Sequence, residues 1–113
     1  MSEAALVRDL LLAYNRGPFR IWRNNIGRLP DGRGRWVNYG IQNPGGSDLI
    51  GFKVVDGKPI FLAIEAKMKP RKPTKAQTSF IRMINSVNGI AGVVYSMEDA
   101  ALLLGPPRGA AGA

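Results

Sequence analysis

The 113-residue chain contains no cysteine and no histidine. Those two absences exclude a Cys/His zinc site, a disulfide framework, and catalysis built on either side chain. A general base must then be a carboxylate, a lysine, a tyrosine or water. Acidic residues are scarce as well: Asp plus Glu number 8 against 16 Lys plus Arg, a formal net charge of +8. No apolar run approaches the ~18 residues that a membrane-spanning helix needs. The first residues carry Glu3 and Asp9 without a basic segment, so they do not read as a secretion signal, and the cytoplasm is the expected compartment. What is there is ordinary for a folded chain, with 45% hydrophobic and 21% charged residues. The length predicts a single domain over 1–104, followed by a Gly/Ala-rich tail over 105–113 that is expected to fray.

A sequence pI near 10.5 on a small domain points to a polyanionic partner, most often nucleic acid. The basic residues fall into two clusters. In the first, Arg20, Arg23, Arg28, Arg33 and Arg35 are interleaved with Phe19, Trp22 and Trp36. The second holds Lys67, Lys69, Arg71, Lys72 and Lys75, broken by Pro70 and Pro73 into an extended loop. Together they read as a surface that tracks phosphates. Neither has the apolar helical stripe of a membrane-binding segment. The two tryptophans either stack on bases or, more commonly for this side chain, pack into the core.

Along the chain, Ser2 caps a helix whose Leu6, Val7, Leu10, Leu11 and Tyr14 recur at helical spacing, and Gly17-Pro18 stops it. Phe19–Asn24 reads as a short strand, residues 25–35 as a loop rich in turn signals, and Trp36–Ile41 as a further strand. Asn43-Pro44-Gly45-Gly46-Ser47 is a break. Asp48–Val55 and Pro59–Lys67 form a hairpin around Asp56-Gly57. Thr74 with Gln77 makes a capping box for a helix with a Phe80, Ile81, Ile84, Val87 stripe. Ile90–Tyr95 is an apolar strand, and Ser96 caps a last helix through Leu104. The strand–helix–strand over 60–95 predicts a parallel βαβ unit beside the antiparallel hairpin. The fold class is therefore α/β, a mixed sheet flanked by helices.

Two carboxylates stand out. In Ile60–Lys67, strand alternation puts Phe61, Ala63, Glu65 and Lys67 on one face. A tight Asp56-Gly57 turn sets Val55 opposite Lys58 and Asp48 opposite Glu65. Side chains so paired have Cβ atoms ~4.5–5.5 Å apart, and like charges there repel. A divalent cation reverses the sign of that interaction. Lys67 beside them is placed to orient or deprotonate a water, or to stabilise phosphate charge. The alternative is an exposed strand end with an ion pair of little worth.

At these residues the chain resembles the PD-(D/E)xK nuclease superfamily, and more narrowly the VRR-NUC family of virus-type replication-repair nucleases. The resemblance is carried by Gly46-Ser47-Asp48-Leu49-Ile50-Gly51, Ile64-Glu65-Ala66-Lys67, and Gln77 with Phe80 three residues on. The N-terminal Ser2-Glu3 helix, Trp22-Arg23-Asn24 and the closing Val93-Val94-Tyr95-Ser96 also fit, and the resemblance covers essentially residues 2–104. Ser47 stands where the superfamily has its name-giving proline. The resemblance implies a restriction-endonuclease-like core and a Mg²⁺- or Mn²⁺-dependent phosphodiesterase. By matching position, Asp48 and Glu65 bind metal with the Ala66 carbonyl, Lys67 is the catalytic lysine, Gln77 reaches the site from the following helix, and Glu3 is the acidic residue of the first helix. Each of the outlying assignments has a rival: Gln77 as cap partner only, Glu3 as complement to the helix dipole only, Arg23 and Asn24 as turn-closing residues rather than DNA contacts.

The resulting expectation is a metal-dependent DNA endonuclease, homodimeric and selective for branched DNA, as in the junction-resolving enzymes that stand-alone members of the family resemble. A phage protein acting in a bacterial host cell is in keeping with it. The alternatives are the same chemistry on linear duplex or single strands, and a basic binding module without catalysis. The last explains the charge but not the convergence of Asp48 and Glu65.

Overall fold

The computed structural model describes residues 1–42 and 45–107. Part of the expected break, at 43–44, and of the expected tail, at 108–113, lies outside the described residues. The elements are α1 (Glu3–Ala13), β1 (Phe19–Arg23), β2 (Gly27–Pro30), β3 (Trp36–Tyr39), β4 (Leu49–Val55), β5 (Lys58–Ala66), α2 (Lys75–Ser86), β6 (Ile90–Val94) and α3 (Met97–Leu104). Four strands form a mixed sheet in the order β1–β4–β5–β6, and β2–β3 form a separate two-stranded ribbon. The architecture is α/β, a mixed sheet flanked by helices, consistent with a restriction-endonuclease-like fold.

Local chemistry sets the ends of the elements. Ser2 Oγ accepts from the Ala5 N–H at 3.0 Å and starts α1, while Ser96 Oγ accepts from the Asp99 N–H at 3.1 Å and starts α3. The β4–β5 hairpin turns on Asp56 and Gly57, both at positive φ (51° and 76°), the conformation a two-residue loop needs to match strand twist. Its register pairs Val55 with Lys58 and Leu49 with Ile64, as the turn predicts. The β5–β6 pair is parallel, with α2 as its crossover.

The alternation along β5 divides the core. Leu62, Ile64 and Ala66 point to one side, where Leu6 and Leu10 of α1 and Ala100 and Leu104 of α3 close over them together with Ile21 and Leu49. Ala63 points to the other side, under Phe80 and Ile84 of α2. Each large apolar side chain so buried contributes about 1.5–3 kcal/mol. On that second side α2 packs on β5 and β6. Over β1, β4 and the first half of β5, Trp22 and Phe61 stay exposed around the half-buried Ile50 and Phe52.

Three expectations are corrected. Residues 25–35 are not wholly loop, because Gly27–Pro30 pair with Trp36–Tyr39. The glycine and proline that look like turn signals sit in a strand whose partner was not legible locally. Trp22 and Trp36 are not core residues; they are 54% and 60% exposed. The apolar stripe of α2 ends at Ile84, since Val87 falls on the helix cap and is exposed.

The β1–β4 pairing depends on a missing side chain. A Cβ at Gly51 would lie 2.0 Å from the Arg20 carbonyl oxygen. Gly51→Ala should therefore push the edge strand away and lower stability by about 1–3 kcal/mol in a urea melt, whereas Gly57→Asn in the open hairpin turn should change it by less than about 1 kcal/mol.

Candidate active site

The hairpin register carries one step past Leu49–Ile64 and brings Asp48 and Glu65 together at the end of the sheet. Asp48 is tied into the strands from both sides. Its carbonyl accepts the Asn24 N–H at 2.8 Å, and its Oδ2 accepts the Ala66 N–H at 3.0 Å. Glu65 lies on the α2 side of β5 and is only 4% exposed; Lys67, two residues on, is 5% exposed. The Lys67 N–H donates to the Val94 carbonyl at 3.0 Å, which continues the β5–β6 ladder and fixes its backbone. The exposed strand end of the alternative reading is thus not what forms.

The electrostatics follow from that burial. Loss of hydration, then a hydrogen bond and charge repulsion from Asp48, push the Glu65 carboxyl from 4.5 up to about 8, with Lys67 opposing the shift. Glu65 Oε1 is buried without a hydrogen-bond partner. A buried carboxylate oxygen without a donor, beside a second carboxylate, is one that a cation would satisfy. The donors are hard oxygens, the type that suits Mg²⁺ or Mn²⁺. Among the described residues no group of three or more Asp or Glu side chains converges, so two carboxylates and the main chain leave the remaining positions to water. Mg²⁺ keeps several waters in its protein sites, so this set fits it.

The outlying residues are placed as follows. Glu3 lines a cavity of about 670 Å³ with Arg23, Asn24, Tyr39 and Asp48, so the helix start does reach the site. Its Oε2 also accepts from Arg71 at 2.8 Å, which ties the basic loop to α1. Gln77 is engaged in the cap: its Oε1 accepts the Thr74 N–H at 2.8 Å, and its own N–H donates to Thr74 Oγ1. It borders a neighbouring cavity with Arg28, Gly45 and Gly46 rather than one with Asp48. Asn24 departs from the expectation of a DNA contact. It is buried, its Oδ1 accepts the Ile41 N–H, and its Nδ2 donates to the carbonyls of Ile41 and Ser47. Its polar atoms are spent on holding the chain on both sides of the break.

Arg20, Arg23, Arg28, Arg33 and Arg35 are exposed, as are Lys69, Arg71, Lys72 and Lys75. Arg35 is bonded to Asp31 at 2.9 Å, and Arg28 lies over the Trp36 ring at 5.3 Å. Tyr39 escaped sequence reasoning, as did the burial of Ser47. Tyr39 lines the Asp48 cavity, its ring lying over Gly27 across the ribbon, so that a Cβ there would meet it at 2.2 Å. A glycine facing an aromatic across two strands was the available signal, hidden because β2 was not recognised. Ser47 is fully buried with its hydroxyl unpartnered, the environment of a position that suits an apolar proline.

A mixed sheet that ends in an Asp–Glu pair with a buried lysine on the next outward position defines a class: a PD-(D/E)xK-type nuclease. The family profile described as VRR-NUC domain matches residues 22–98, and the chain belongs to that family. It is accordingly a nuclease domain, a hydrolase with DNA as its implied substrate, of a type that generally uses divalent metals. No curated protein and no solved structure matched the chain.

The raised Glu65 carboxyl has a stability consequence. Between 4.5, its value in the unfolded chain, and about 8, the folded protein holds a proton that the unfolded chain has released. Metal-free protein should therefore lose stability as pH rises through that window. Glu65→Gln should flatten the profile, and a pH series of thermal melts in EDTA reads both slopes. Equal slopes in the two proteins would assign the dependence to other groups.

Proposed function

We propose that the protein is a divalent-metal-dependent DNA endonuclease that hydrolyses phosphodiester bonds in branched DNA as a homodimer. One observation carries the chemistry: Asp48 and Glu65 meet at a buried strand end, with Glu65 Oε1 left without a hydrogen-bond partner and Lys67 nearby. Asp48, Glu65 and the Ala66 carbonyl are the groups that would hold the cation. When bound, the cation supplies Lewis-acid stabilisation of the phosphate charge and a lowered pKa for attacking water. Lys67 places an ammonium against the phosphate, where it orients the water and offsets the charge that builds in the transition state. Arg23, on the wall of the Asp48 cavity, Lys69 and Lys72, on the loop before α2, and Lys75, at the start of α2, hold flanking phosphates.

The homodimer rests on the uncovered sheet face. Trp22, Ile50, Phe52 and Phe61 share the side of the sheet that carries Glu65, and α2 does not cover them. Two copies joined through a two-fold axis would bury these side chains and present two sites to a two-fold branched substrate. The full set of exposed arginines and lysines supplies affinity without sequence.

Purified protein in Mg²⁺ or Mn²⁺ should cleave four-way or flap DNA faster than linear duplex or single strands of the same sequence. Asp48→Asn and Lys67→Ala should each lower turnover by roughly 10²–10⁴-fold while circular dichroism stays native. Full turnover in either variant would remove this site, and equal rates on all substrates would remove the branched preference.

Metal should also stabilise the folded state, by ~2.7 kcal/mol at 100 times its dissociation constant. Asp48→Asn should lose that response, and without metal it should be as stable as wild type or more so. Equal gains in both proteins would place the cation elsewhere.

A further inference from the structure

The β2–β3 ribbon contributes nothing to either core cluster. None of its eight strand residues is buried, and Leu29, Trp36 and Val37 are each more than half exposed. An isolated two-stranded ribbon is marginal in water, yet this one is braced at both ends. At its base, Gln42 Nε2 donates to the carbonyls of Gly27 at 2.6 Å and Tyr39 at 2.9 Å, and Asn24 clamps Ile41. At its tip, Asp31 Oδ1 accepts the N–H groups of Arg33 and Arg35, and Oδ2 accepts from the Arg35 guanidinium. Its one carboxylate is thereby consumed internally, and the ribbon presents cationic surface.

The register then sorts its side chains. Arg28 faces Asn38 and Pro30 faces Trp36, so these four share one face. Pro30 and Trp36 are the last pair before the tip, with Arg33 beyond them and Arg28 stacked on the indole from behind. A flat apolar edge at the end of a stiff basic arm matches a base whose π-face is exposed, with phosphates on either side. The interior of a continuous duplex offers no such face, whereas a branch point does. The base of the same arm borders the Asp48 cavity through Tyr39.

We propose that Trp36, backed by Arg28 and paired with Pro30, is a stacking pin that docks on the unpaired or terminal base at a DNA branch point and sets which phosphate reaches Asp48. The proposal deepens the nuclease reading above and rests on it for the substrate, but its test needs no turnover. Binding is measured in EDTA to a labelled flap DNA and to a linear duplex of equal length and sequence.

Wild type should prefer the flap. Trp36→Ala should weaken flap binding by roughly 5- to 150-fold, the range of a lost aromatic–base stack, while changing duplex binding by less than about twofold. Trp36→Phe should restore most of the preference. A 2-aminopurine at the branch should change fluorescence on binding wild type and not Trp36→Ala. Because the ribbon lies outside the core, thermal melts of both variants should match wild type. Equal loss on flap and duplex, or no loss on the flap, overturns the pin. So does sedimentation showing that Trp36→Ala turns a dimer into a monomer, which would make the ribbon a self-association element. If the Trp36-dependent preference holds in a protein with no metal-dependent cleavage, the nuclease reading fails and the pin stands.

Discussion

The confrontation of Asp48 with Glu65 is the constraint around which the sheet end is arranged. Two carboxylates at a buried strand end are costly for a chain with only eight of them. Burial and the neighbouring Asp48 push the Glu65 carboxyl up to about 8, so that the metal-free protein holds a proton there past neutrality. A divalent cation at the site proposed above would replace that proton. The two would use the same oxygens, so proton and metal would compete. The hydrogen bonding around the pair leaves room for either. One oxygen of Asp48 is fixed by the Ala66 N–H, and Glu65 Oε1 is left without any donor.

Asn24 ties this centre to the rest of the molecule. Through its main-chain N–H it holds Asp48, and through its amide it holds Ser47 and Ile41. One side chain thus joins the sheet, the segment that carries the first carboxylate, and the exit of the β2–β3 ribbon. A residue of this kind is easily mistaken for a ligand contact, because Asn beside Trp and Arg is also the composition of a DNA-reading surface. Its burial decides the matter: every polar atom of the amide is satisfied inside the protein.

Most of the fold was legible because the decisive signals were local. The Asp56-Gly57 turn set the hairpin register, the register set Asp48 against Glu65, and the Thr74–Gln77 spacing located α2. What was not legible depended on distant partners. Gly27–Pro30 become a strand only by pairing with Trp36–Tyr39, and nothing in four residues of Gly-Arg-Leu-Pro announces that partner. The tryptophans looked like core because such surface is normally buried. They are outside because the sheet is covered over only two of its strands on one side, a fact of helix placement rather than of pattern. Gln77 carried two expectations, cap partner and site residue, and the cap claims its oxygen.

The same economy explains where the exposed aromatics fall. Within this domain, any choice among DNA shapes of the kind proposed above would have to come from its exposed surface. Charge alone cannot supply it, because phosphates are spaced alike along every duplex and contacts to them carry no information about shape. Apolar rings can, since they gain only where another flat surface is open to them. Trp22 on the uncovered sheet face and Trp36 at the ribbon tip lie on opposite sides of the Asn24 joint in sequence, and each is attached through short, hydrogen-bonded backbone to Asp48. Trp22 stays with the sheet face assigned above to the dimer, and what Trp36 docks against would be held near the carboxylates through the base of the ribbon. Under the stacking pin proposed above, that placement would let Trp36 bias which phosphate reaches Asp48.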